Sequence, residues 1–103
     1  MAKDISKLPE PPKWLSLSAR TWWKKIVKEC EGLHDSQLLI LQSALEAYAD
    51  MKEAQKIVKE DGMKVMDRFG QEKAHPLLTV IRDNRSAILQ AYKTLGLDLE
   101  FPD

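Results

Sequence analysis

Apolar residues return every three or four positions in three stretches of the chain, and the period changes to two between the second and third stretches. Leu15, Ala19, Trp22, Ile26, Cys30 and Leu33 form the first stripe, widened by Trp23 and Val27, and predict an amphipathic helix. Ser16 or Ser18 can cap its free N–H groups, and Gly32 can end it. A second helix is expected from a cap at Asp35 or Ser36 to about Asp61, with Gly62 as its stop. At 1.5 Å per residue it would be about 39 Å long, well above the usual length in a small domain. It carries two apolar stripes. Leu38, Leu41, Leu45 and Tyr48 form one; Ile40, Ala44, Ala47, Met51, Ala54 and Val58 form the other. A helix that is apolar on two sides has two partners, so the second stripe, together with Trp23, is the expected oligomer interface.

After Gly62 the pattern alternates. Met63, Val65 and Phe69 fall on one side of an extended segment, Gly70 suits a tight turn, and Gln71–Ala74 can return as a second strand. A hairpin over about 63–74 follows; alone it would be only marginally stable, so it must lean on helices or on a neighbouring subunit. Pro76 suits the first turn of a third helix, whose buried stripe is Leu77, Ile81, Ile88, Tyr92 and Leu95, with Leu78 and Leu89 beside it and Gly96 at its end. The fold expected is mainly α: three helices, the central one long, with a small β-hairpin between helices 2 and 3. Residues 1–13, with Pro9, Pro11 and Pro12, form a flexible proline-rich arm; residues 14–97 form a single helical domain; residues 98–103 form an acidic tail.

Composition narrows the function classes. The chain has 103 residues, formal net charge zero and a single cysteine, Cys30. A neutral chain needs a local patch or several copies to hold nucleic acid. One cysteine excludes an internal disulfide and fits a reducing compartment. The longest aliphatic run, Leu38–Leu41, is too short to cross a bilayer, and MAKDISKLPEPPK lacks the apolar core of a signal peptide. A cytoplasmic protein with no membrane partner is expected.

Enzyme motifs are missing: no glycine-rich phosphate loop, GxSxG, CxxC or HExxH occurs. His34, Asp35 and His75 sit where caps and turns are expected, and Cys30 lies on the apolar stripe, where a buried thiol is inert. Neither a catalytic set, a metal site nor a cofactor is expected. The basic residues carry more information. Arg20, Lys24 and Lys28 stand at i, i+4 and i+8, a ridge without acidic partners four residues on, and Lys25 lies beside it. Lys64, Arg68 and Lys73 come from the hairpin, and Arg82 and Arg85 from the third helix, partly offset by Glu72 and Asp83. These nine are the candidate phosphate contacts. The tryptophans read as packing groups: Trp22 in the stripe centre, Trp23 at its border, and Trp14 folded over the helix start as a hydrophobic staple.

The run PEPPKWLSLSARTWWKKIVKE resembles the opening of a family of bacteriophage terminase small subunits, in the positions Pro12, Trp14, Leu15, Ser16, Ala19, Arg20 and Trp23. The resemblance continues through Gly32-Leu33, Tyr48, Gly62, Gly70, His75-Pro76 and Leu95-Gly96-Leu97, over roughly residues 9–97. The short arm and the ending LDLEFPD depart from that family's longer basic arm and its Pro and Arg after the final Gly-Leu. The resemblance implies a non-catalytic DNA-packaging adaptor that assembles into a homo-oligomeric ring, binds double-stranded viral DNA in the host cytoplasm, and delivers it to the terminase large subunit, whose ATPase and nuclease it regulates. Two other readings compete: a helical protein–protein interaction module without DNA binding, and a small helix-turn-helix regulator, which the length of the second helix disfavours.

Overall fold

The computed structural model describes residues 8–30 and 32–96. Its elements are α1 (Leu17–Glu29), α2 (Asp35–Asp61), β1 (Lys64–Met66), β2 (Glu72–Ala74) and α3 (Leu77–Leu95). Three helices with a long central one, and an antiparallel hairpin between the second and third, is the architecture expected from the periodicity. Residues 1–7 of the expected arm and the expected acidic tail lie outside the described residues.

Each helix begins and ends for a local reason. Ser16 holds extended backbone before α1, and its Oγ accepts the Ala19 N–H at 3.3 Å. At the start of α2 the Gln37 side chain accepts the His34 N–H at 2.7 Å. The residue before the helix is therefore His34, and Asp35 is already in the first turn, where its charge meets the positive end of the helix dipole. Pro76 precedes α3 with helical φ, and Gly96 closes α3 in the left-handed region, its N–H donating to the Lys93 carbonyl at 3.1 Å.

The core is centred on α2. Leu15, Ala19, Trp23, Ile26 and Val27 cover it from the α1 side, and Ile88 and Tyr92 from α3; Leu41, Ala44, Leu45, Tyr48 and Met51 of α2 lie between them. Both stripes of α2 are used inside the chain. Ala44, Met51, Ala54 and Val58 are buried, and Ile40 and Ala47 are half-buried. The expected interface stripe is therefore mostly core: α3 returns antiparallel along the same helix and takes the face that α1 leaves. Leu89 of α3, expected beside the buried stripe, is instead exposed.

The tryptophans also change places. Trp23 is only 3% exposed and belongs to the core, whereas Trp22 is half-buried at its edge. The reason is Leu8–Pro12. Leu8 packs on the core, and the Trp23 indole N–H donates to the Pro9 carbonyl at 3.0 Å, which draws the α1 stripe round by one residue. Residues 8–12 of the segment expected to be a flexible arm thus run along α1. Trp14 is no staple: it is 68% exposed, and its indole donates to Glu46 at 3.3 Å.

The hairpin pairs Lys64 with Ala74, Val65 with Lys73 and Met66 with Glu72. Its tip is built by Asp67, whose Oδ1 accepts from Phe69 N at 2.8 Å and Gln71 N at 2.9 Å. Gly70 donates to the Asp67 carbonyl and takes φ +77°, which a side chain would strain. At the base, His75 donates its N–H to the Met63 carbonyl at 2.8 Å. The His75 ring is buried and works at both ends: Nδ1 accepts from Leu77 N at 3.1 Å, so Nε2 carries the proton and donates to Asp61 at 3.0 Å. One side chain thus ties the end of α2 to the start of α3. The hairpin itself stays open to solvent: of its apolar side chains Met63, Met66 and Phe69 are exposed and Val65 is half-buried, so of the two supports expected, helices or a neighbouring subunit, the helices supply little. No helix among the described residues is long and apolar enough to cross a membrane.

Candidate nucleic-acid interface

The nine basic residues fall into three groups on different elements. Arg20, Lys24, Lys25 and Lys28 lie on α1, Lys64, Arg68 and Lys73 on and around the hairpin, and Arg82 and Arg85 on α3. The fold does not gather them into one cluster. Trp14, three residues before α1, touches α2 at Glu46, whereas the hairpin follows Gly62. Sixteen residues of helix separate these points, about 24 Å.

Within the α1 group, the ridge is real but shorter than its spacing suggests. Lys24 and Lys28 are exposed one turn apart, and among the described residues neither is in an ion pair. Both line a groove with Pro9, Glu10 and Pro11, so the proline segment fixed by Trp23 runs beside the two ammonium groups. Arg20, by contrast, is half-buried, and its Nε is buried with no hydrogen-bond partner among the described residues. Lys25 turns onto the Trp22 ring, with its Nζ 5.0 Å from the centroid. Trp22 is half-buried and shared with Lys25, and Trp23, the other α1 tryptophan, is buried.

The other groups are more compensated. Lys64 faces Glu72 across the strands at 3.9 Å, both exposed, which contributes little stability. Arg68 stacks on its neighbour Phe69 at 5.1 Å, and Lys73 is exposed. Arg82 pairs with Asp83 at 3.5 Å, and Arg85 is exposed on the same helix. Of the α1 candidates, Lys24 and Lys28 are the exposed pair held in neither an ion pair nor a ring contact among the described residues, with Glu10 lining the same groove.

Other chemistry has little foothold. Burial, and then the neighbouring Glu29 carboxylate, push the Cys30 thiol upward, which disfavours the thiolate a nucleophile or ligand would need. Among the described residues, no three His, Cys, Asp or Glu side chains converge as metal ligands. Sequence reasoning missed two contributors: Pro9, whose carbonyl fixes Trp23, and Asp67, which shapes the hairpin tip. The dipeptide spacing around Gly70 could have pointed to the second; nothing local points to the first.

Comparison with known proteins places this arrangement. No curated protein and no solved structure shows significant similarity to the chain. A family model described as phage terminase, small subunit, matches residues 19–100, from the first turn of α1 to beyond the end of α3. That match covers most of the 103 residues and nearly all of the three helices; it takes in Ala19, Arg20, Trp23 and the later positions of the resemblance, whereas Pro12, Trp14, Leu15 and Ser16 lie before it. The chain belongs to the phage terminase small subunit family.

Proposed function

We propose that the chain is the DNA-packaging adaptor of a phage terminase: a non-catalytic subunit that binds double-stranded viral DNA in the host cytoplasm and hands it to the large subunit, whose ATPase and nuclease it regulates. Family membership supports the packaging role. The observation that carries DNA binding is the exposed Lys24–Lys28 pair, one turn apart on α1 and outside any ion pair among the described residues. Two lysines per chain bind a duplex weakly. Repetition in a homo-oligomeric ring would raise the effective concentration of each later contact and let a neutral chain hold DNA.

Titrating a fluorescent duplex with the protein at low and physiological salt tests this. Lys24→Glu with Lys28→Glu is expected to weaken binding at least tenfold and to reduce the salt slope by close to two, since each lost phosphate contact removes about 0.9. Absence of DNA binding at low salt and high micromolar protein, with a monomeric mass, would sink the adaptor reading. The competing reading, a protein–protein module, draws on the exposed Met63, Met66 and Phe69. It predicts that the double charge reversal leaves partner binding intact.

A further inference from the structure

Two apolar features of this molecule have no partner among the described residues. One is the hairpin tip. Phe69 is 74% exposed and Met66 beside it nearly as open, although Asp67 and Gly70 hold the tip in a defined shape. An ordered loop that presents a phenyl ring to water, on a hairpin with almost no cover of its own, has the form of an anchor. The other is a trough between α2 and α3. Ala44 of α2 and Ala87 and Ala91 of α3 form its floor, and Leu39 and Ile40 its wall. Short side chains on both helices leave space there; the trough is an open groove of about 420 Å³, room for an aromatic ring laid along it. Leu39 at its rim is exposed.

The two features cannot meet within one molecule. Ala44 and Gly62 lie at different levels of α2, about 27 Å apart along its axis, and the hairpin begins beyond Gly62. Between two copies they match in size and charge. The trough floor is uncharged, and the α2 row beside it runs Leu39, Ser43, Glu46 and Asp50 at helical spacings of four, three and four, all exposed but Glu46, which is half-buried and accepts from Trp14. Asp50 is exposed at the end of that row, on the side toward the hairpin. The tip brings a cation with its ring: the Arg68 guanidinium lies 5.1 Å from the Phe69 centroid, and exposed Lys73 shares the concavity behind it.

We infer that the hairpin tip of one copy docks in the α2–α3 trough of a second copy, with Phe69 over Ala87 and Ala91 and Arg68 facing Asp50. The inference rests on the oligomeric part of the proposed function and deepens it by naming the surfaces. The junction is heterologous, one feature from each end of the molecule, and such junctions close into rings or run on as filaments. It also accounts for the hairpin: its missing cover is the next subunit.

Native mass spectrometry of the full chain and two variants tests the assignment. Phe69→Asp damages the tip and leaves the trough; Ala87→Arg fills the trough and leaves the tip. Both positions are exposed, so both variants are expected to keep the wild-type circular dichroism spectrum. The wild type is expected to be a multimer and each variant a monomer, with assembly weakened at least tenfold. An equimolar mixture of the two is expected to stop at a heterodimer, because only one of its possible junctions, the Ala87→Arg tip in the Phe69→Asp trough, is intact. A wild-type monomer would overturn the oligomeric reading itself. A wild-type multimer that survives either substitution unchanged would overturn this junction and leave the oligomer standing.

Discussion

The indole N–H of Trp23 donates to the carbonyl of Pro9 at 3.0 Å, across fourteen residues. This bond fixes the proline segment along α1 and decides which of two adjacent tryptophans is core. It also places Pro9 and Glu10 beside Lys24 and Lys28, the cationic pair on which the proposed DNA contact depends.

Truncating the two tryptophans should therefore separate them sharply. Trp23→Ala is expected to destabilise the fold by about 3–5 kcal/mol, the range for emptying a buried aromatic site. Trp22→Ala should cost roughly 1 kcal/mol, the partial burial of its ring plus the Lys25 contact. Trp23→Phe should cost about 1–2 kcal/mol and release the proline segment, visible as new protease cleavage near Pro9. Urea denaturation of the three variants checks the order; equal costs at positions 22 and 23 would contradict it.

His75 is a joint whose two bonds can be tested apart. His75→Ala removes the Asp61 contact and the acceptor for Leu77 N in one step, and is expected to cost about 2–3 kcal/mol. Asp61→Asn keeps an acceptor oxygen for Nε2–H and should cost under about 1 kcal/mol. Thermal melts of the two proteins measure the difference.

At the hairpin tip, Asp67→Ala deletes two hydrogen bonds to the turn, and Gly70→Ala forces a side chain into the left-handed region. Each is expected to loosen the tip at a cost of about 1 kcal/mol, with the helices unchanged. Amide hydrogen exchange should show faster exchange at Phe69 and Gln71 and unaltered protection in α2.

Tyr92 links stability to pH. Burial, and then the neighbouring Tyr48, push its phenol from 10.0 up to about 12, and its hydroxyl is buried without a hydrogen-bond partner among the described residues. The unfolded chain releases this proton near 10 and the folded chain near 12. The stabilisation is complete below pH 10 and is lost as pH rises to 12, an effect of up to roughly 2 kcal/mol. Tyr92→Phe should flatten that alkaline decline. At neutral pH it should leave the protein as stable as the wild type or about 1 kcal/mol more so, because an unpaired buried hydroxyl is removed. Denaturation midpoints at pH 7, 10 and 11.5 test both statements.

Local physics determined the elements of this protein. The helical period, Ser16, Gly62, Pro76 and Gly96 set where helices start and stop, because capping and positive φ are properties of a few consecutive residues. The change to a period of two, with Gly70, located the hairpin for the same reason. The i, i+4 spacing of Lys24 and Lys28 was legible as a ridge, since spacing alone puts them on one face. Which apolar stripe faces which neighbour was not legible. The period put Trp22 at the stripe centre and Trp23 at its border; the fold reverses them, with the Trp23 indole bonded to Pro9, distant along the chain. The second stripe of α2 looked spare because nothing local says that α3 turns back antiparallel to cover it. The hairpin shows the reverse. Alternating side chains predicted two strands, and only the tertiary structure revealed that no helix covers them, because burial depends on what the rest of the chain brings within reach.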